Sequence, residues 1–330
     1  MVIVKENGWL LLTNDDGIEA DGFRLLVQSL HKAGYSLAII APSSNHSATG
    51  MRINLMTPMA LRSRSDLVAQ WELEPETTPV HLFELDGTPC DTMIVALDGG
   101  LDHLIPGVRP QLVISGVNLG PNLSQDSYHS GTMGAAREAG LYGVPAIATS
   151  FTSFDPAGMD ASIRATLEAV ERACSILPLV AENMGRPNGR MDTGYFSAWP
   201  QPLNDERWLD DAEGALRSAF TNGDLMLNLN IPPTWNGEWE TTRLGVRWYR
   251  NAVRFDTAEG EDTATFTIGA ASVDHTPITL GDCDAVEVDK ASISCLSVWP
   301  QSHPFALDED LLAHGLEQTT NGWPNWLHQG

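Results

Sequence analysis

The sequence predicts an α/β fold, a parallel sheet wound with helices, and three observations predict it. Short apolar runs alternate with stretches of helical period through the first half of the chain. None of the runs approaches the ~20 residues of a membrane span, so they read as strands. Polar loops containing glycine follow several of them, as strand-to-helix connections do. With 330 residues, the chain suffices for one large α/β domain with additions, or for two smaller domains.

The candidate strands are residues 9–12, 37–40, 82–85, 112–114 and 146–148. After the first, Phe23, Leu26, Val27 and Leu30 recur at i, i+3, i+4 and i+7, one apolar helix face that Gly34 closes. Thr88 and Pro89 open a second helix as cap and first-turn residue, with Met93, Ile94 and Leu97 facing inward. A third starts near Gly131 and ends by Gly143, and Ile163, Leu167, Val170, Cys174 and Leu177 mark a fourth. Residues 185–223 are rich in Gly, Pro, Asn and Asp and read as an insertion or long loop. Beyond it, 225–231 reads as a strand, and 241–248 with 263–268 as a two-stranded arm whose solvated tip is 257–262. Residues 312–330 carry two tryptophans but no clear period, and no function is read from them.

The net charge of −24 comes with only three lysines, Lys5, Lys32 and Lys290. Such a chain repels a phosphate backbone, which excludes nucleic acid as a partner. It also repels a phosphorylated substrate, so a site for one needs a cation and backbone N–H groups of its own. Cys90, Cys174, Cys283 and Cys295 are scattered without zinc or disulfide spacing. With no membrane span, and with no secretory layout in residues 1–8, a cytoplasmic location is expected.

Three polar loops carry the chemistry. The first strand runs straight into Asn14-Asp15-Asp16-Gly17. A helix cap explains one of these aspartates but not an adjacent pair, because two like charges side by side require neutralisation. The second loop, Ser43-Ser44-Asn45-His46-Ser47, is crowded with oxygen and nitrogen donors, although an ordinary polar turn has the same composition. The third runs through Ser115-Gly116-Val117-Asn118-Leu119-Gly120-Pro121-Asn122 to Ser130-Gly131-Thr132 at a helix start, where N–H groups and hydroxyls serve either as caps or as an anion site. In a parallel sheet such loops share the carboxyl edge, so Asp15, Asp16, Ser47 and Asn118 are expected to converge. Two carboxylates, a hydroxyl and an amide oxygen form a hard donor set, suited to Mg²⁺, Mn²⁺ or Ca²⁺. The expectation is a metal-dependent phosphatase of small phosphate monoesters. Receiver domains and haloacid-dehalogenase phosphatases also place aspartates after the first strand, but they need a lysine at the same edge, and none of the three lysines is so placed.

These motifs together resemble the SurE family of survival-protein nucleotidases, whose pattern is a strand ending in Asn-Asp-Asp-Gly, an Ala-Pro loop carrying a serine, and Ser-Gly-Ile/Val-Asn-x-Gly-Pro-Asn. Further matches are Gly87-Thr88-Pro89-Cys90-Asp91, Ser130-Gly131-Thr132, Asn228-Leu229-Asn230-Ile231-Pro232 and Thr242-Arg243-Leu244-Gly245. The resemblance implies a Rossmann-like phosphatase core over 1–224, and over 225–330 a projecting β-hairpin with a C-terminal extension that builds a homodimer or homotetramer. It implies hydrolysis of nucleoside 5′-monophosphates, with 3′-nucleotides and short polyphosphate as further substrates. Position by position, it implies one divalent cation per subunit, Mg²⁺ or Mn²⁺, on Asp15, Asp16, Ser47 and Asn118. Asp15 and Asp16 would be catalytic, and Asn122, Ser130, Gly131 and Thr132 would contact substrate phosphate. The alternative is a non-catalytic nucleotide-binding or stress-assembly protein on the same fold. One departure bears on the site: the family loop Asp-Arg-Asn-x-Ser-Gly is here Ser43-Ser44-Asn45-His46-Ser47-Ala48, so a basic residue is lost and His46 is its nearest replacement.

Overall fold

The computed structural model describes residues 8–181, 184, 210–255, 264–269 and 272–328. The chain begins with β1 (Trp9–Thr13), α1 (Asp21–Lys32), β2 (Ser36–Pro42), β3 (Leu61–Ser63), α2 (Ser65–Gln70), β4 (Val80–Leu85) and α3 (Pro89–Val95). It continues through α4 (Leu101–Leu104), β5 (Pro110–Leu119), α5 (Asp126–His129), α6 (Gly131–Leu141), β6 (Ala146–Phe151) and α7 (Met159–Ile176). Then follow α8 (Ala212–Thr221), β7 (Leu225–Ile231), β8 (Trp239–Thr242), β9 (Val246–Arg250), β10 (Val253–Phe255), β11 (Phe266–Ile268) and β12 (Ser272–Thr276). The last elements are α9 (Asp282–Glu287), β13 (Ala291–Ser297) and α10 (Glu309–His314).

Nine strands form one sheet in the order β3-β4-β2-β1-β5-β6-β7-β13-β8. Only β3 with β4 and β7 with β13 pair antiparallel, and every other neighbour is parallel. The continuous apolar run of β1 follows from burial on both faces. Leu10 and Leu12 pack on one side with Phe23 and Leu26 of α1 and Val170 of α7, while Leu11 packs on the other with Met93 of α3 and Met133 and Ala136 of α6. Helix starts follow local chemistry. Thr88 caps α3 by accepting from the Asp91 N–H at 3.2 Å, and the Asp91 carboxylate accepts from the Thr88 N–H at 2.8 Å.

The structure alters three expectations. Part of the stretch read as a long loop is helical: α8 buries Leu216, Ala219 and Phe220, an i, i+3, i+4 face that the surrounding Gly, Asn and Asp outweighed. Residues 185–209 of that stretch lie outside the described residues. The arm pairs differently from the expected 241–248 with 263–268. β8 instead closes the main sheet against β13, while β9 pairs with β12 and β10 with β11. The expected tip at 257–262 falls in a stretch that is not described. Third, the C-terminal tryptophans belong to the core. Trp323 is 4.2 Å from the Trp239 ring, and Trp326 is 5.5 Å from Phe220, with its carbonyl accepting from Arg217 Nε at 2.6 Å. Residues after 225 thus supply three strands of the same sheet.

One buried acid on α6 makes the fold sensitive to pH. Glu138 is 8% exposed, and burial, helped by the Asp91 charge, pushes its carboxyl from 4.5 up to about 7. The folded state therefore holds this proton more tightly than the unfolded chain, so stability falls as pH rises through that window. Glu138→Gln removes the effect. Melting curves should show little difference from wild type near pH 5 and an advantage of about 1–3 kcal/mol for the variant by pH 8. A gap that stays constant across this range refutes the assignment.

Candidate active site

The chain leaves β1 and β5 toward opposite edges of the sheet, since β1 leads to β2 and β5 leads to β6 on the other side. A crevice opens at the carboxyl ends of two such strands, where α/β sheets bind ligands. Asp15 and Asp16 follow β1, Ser47 lies in the loop after β2, and Asn118 is near the end of β5. Asp15, Ser47, Asn118, Asn122 and Ser130 line a single cleft of about 230 Å³.

The loop after β1 is held from several sides. Asn14 Nδ2 donates to the Gly17 carbonyl at 2.8 Å, and the His46 N–H donates to the Asp15 carbonyl at 2.7 Å. The Asp15 carboxylate, 3% exposed, accepts from Thr132 Oγ1 at 2.6 Å and from the Thr132 N–H at 3.1 Å. Asp16 is half-buried and accepts from the Leu119 N–H at 3.1 Å and from Asn45 Nδ2 at 3.3 Å. Thr132 thus holds the carboxylate, while Ser130 caps α6 by accepting from the Met133 N–H at 3.1 Å and also faces the cleft. Gly131 permits the approach of α6 to β1: a Cβ there would stand 2.9 Å from Asp15 Cβ and 3.0 Å from its Oδ2.

Burial pushes the Asp15 carboxyl up to about 6; the Thr132 hydroxyl opposes this, and the Asp16 charge adds to it. Asp16 is also raised, again chiefly by burial. Among the described residues neither carboxylate is ion-paired. No cluster of three His, Cys, Asp or Glu side chains suited to a metal occurs among those residues, so a cation here would rest on a mixed set. That set fits a hard divalent ion. Each carboxylate has acceptor sites beyond its present bonds. Asn118 donates through Nδ2 to the Gly120 carbonyl at 2.8 Å, leaving its side-chain oxygen, and the Ser47 hydroxyl has no protein partner among the described residues.

Burial, then Arg52, holds the His46 imidazole below its ordinary value. Ala48 takes φ 59° where the family pattern has glycine. Sequence reasoning missed Asp126, His129, Phe154 and Tyr249, which also line the cleft. It also assigned no role to the asparagines that fix Asn122. Asn230 Oδ1 accepts from the Asn122 N–H at 2.8 Å, and Asn228 Nδ2 donates to its carbonyl at 3.0 Å. Two asparagines two apart, both fully buried in an apolar strand, were the signal available for this pair.

Fold and cleft define an α/β protein whose site, at the carboxyl edge of a mostly parallel sheet, presents unpaired carboxylates beside a helix start. The family model Survival protein SurE matches residues 10–251, and the chain belongs to that family. It is 32% identical to the 5′-nucleotidase SurE of Carboxydothermus hydrogenoformans, over 82% of this chain and 89% of that one. The 5′-nucleotidase SurE of Desulfitobacterium hafniense is 43% identical over 44% of this chain and 51% of its own length. The crystal structure of SurE protein from Aquifex aeolicus superposes with a TM-score of 0.60 at 22% identity, covering 88% of this chain and 94% of that one, which shows the shared fold. No helix among the described residues is long and apolar enough to cross a membrane.

Proposed function

We propose that the chain is a divalent-metal-dependent phosphomonoesterase that hydrolyses nucleoside 5′-monophosphates to nucleoside and phosphate, with 3′-nucleotides and short polyphosphate as further substrates. One observation carries the reading: Asp15, Ser47 and Asn118, supplied from three strand ends, line one cleft with Asn122 and Ser130. The 5′-nucleotidase name borne by relatives aligned over most of the chain supports the substrate class.

Asp15, Asp16, Ser47 and Asn118 would hold Mg²⁺ or Mn²⁺, one ion per subunit. When bound, the ion supplies charge neutralisation and Lewis-acid polarisation of the phosphoryl group. The chain's own residues do the rest. Asn122 and Ser130 receive the phosphate oxygens, and the start of α6 favours their negative charge. Thr132 keeps Asp15 oriented through two hydrogen bonds. As metal ligands, both carboxylates would be poorly placed for in-line attack on phosphorus. Water attacks phosphorus directly as the bond to the nucleoside oxygen breaks; one aspartate of the pair takes the water's proton, and the leaving oxygen takes a proton from solvent. The exposed Phe255, Phe266 and Ile268 of the arm, which a second copy would cover, support a homodimer or a homotetramer built from it.

The test is release of inorganic phosphate from AMP, GMP, CMP and UMP with Mn²⁺ or Mg²⁺, compared with chelator. Metal-dependent release is expected. No release from any nucleotide with either metal would instead favour a binding protein on this fold.

A further inference from the structure

Phe154 follows β6 and lines the cleft, yet it is 77% exposed. It is not loose. A Cβ placed on Gly120 would come within 2.6 Å of Phe154 Cε1 and 3.3 Å of its Cδ1 and Cζ, so one side of the ring rests on that backbone. Its neighbours are tied as a turn: the Asp155 N–H donates to Ser153 Oγ at 3.0 Å, and the Ala157 N–H donates to Asp155 Oδ1 at 3.0 Å. Tyr249, on β9 of the arm, is the other aromatic residue in the same lining. Its hydroxyl is turned to the Asp126 carboxylate, and the Arg247 guanidinium carbon stands 5.5 Å from its ring centre. Asp126 Oδ2 is buried and ion-paired with Arg247 at 3.7 Å. The cleft thus joins an oxygen-rich end, at Asp15, Ser47, Asn118 and Ser130, to two aromatic rings.

We infer that Phe154 and Tyr249 form a stacking subsite for the nucleobase of the substrate. The inference rests on the nucleotidase reading and goes beyond it by saying which residues favour a nucleotide over another phosphate ester. An exposed phenyl ring on the wall of a cleft is covered best by a flat aromatic partner, and a base is the part of a nucleotide that supplies one. Stacking accepts any base but favours the larger ring system, so purines should be preferred over pyrimidines.

The experiment compares kcat/KM for AMP, CMP and ribose 5-phosphate, which lacks a base, in wild type, Phe154→Ala and Phe154→Tyr. Adenosine binding is measured alongside by calorimetry, and circular dichroism checks folding. Phe154→Ala should lower the AMP to ribose 5-phosphate ratio about tenfold, mainly through KM for AMP, and should weaken adenosine binding similarly. Phe154→Tyr, which keeps a ring, should restore both. Equal changes for AMP and ribose 5-phosphate, or adenosine binding untouched by Phe154→Ala, would overturn the subsite. A wild type that hydrolyses neither ester sinks the nucleotidase reading instead, and adenosine binding then still decides the subsite on its own.

Discussion

Asp15→Asn and Asp16→Asn each reduce turnover about 100-fold or more while the protein stays folded. The substitution keeps size but removes one of two adjacent negative charges, and with it the attraction for a divalent ion. Folding should survive, because burial already disfavours the charged form of both carboxyls. The melting temperature in chelator should therefore not fall. Asn118→Ala should chiefly raise the metal concentration needed for half-maximal rate, since it takes away a neutral donor. An acid-quenched single turnover with phosphate-labelled AMP should leave no label on the protein. Wild-type rates in either Asp variant would remove the carboxylate pair from the mechanism, and stoichiometric label on Asp15 or Asp16 would replace direct water attack with a phosphorylated intermediate.

Gly131→Ala is the second large effect, and it arises from space. The added methyl would lie 2.9 Å from both Asp15 Cβ and Thr49 Oγ1, so α6 must retreat or Asp15 must turn. Either movement strains the Thr132 bonds of 2.6 and 3.1 Å that orient the carboxylate. A displacement of this size costs about 100-fold in rate. Overpacking costs about 1–3 kcal/mol of stability as well. Gly269→Ala is the control, because nothing lies within 4 Å of a Cβ there. Activity of Gly131→Ala equal to that of the control would show that the helix start does not position Asp15.

Much of the first half was legible because its information is local. The i, i+3, i+4, i+7 face of Phe23, Leu26, Val27 and Leu30 is an amphipathic helix wherever it packs. Thr88, Pro89 and Asp91 carry their own cap. Asn14 to Gly17 announced a site because adjacent carboxylates at a strand end are electrostatically uncomfortable in any fold. The arm was misread for a physical reason. The segment 239–250 has one strand-like composition, but its first part meets β13 and its second part β12, a choice made by the positions of those partners.

The sequence by itself determined the main strands and helices of the first half, though not the short β3, α2, α4 and α5, and which polar residues follow β1, β2 and β5, since periodicity, caps and charge act between near neighbours. Only the tertiary structure decided which distant residues complete the cleft. Asp126 meets Tyr249 across the chain because the buried Asp282 carboxylate accepts from the Ser124 N–H at 3.0 Å and from the Gly245 N–H at 2.8 Å, tying the loop after β5 to the root of the arm. Trp323 and Trp326 enter the core in the same way, beside Trp239 and Phe220. Such contacts depend on the order in which strands join the sheet, and strand order follows from the packing of the whole chain rather than from the pattern of any one segment.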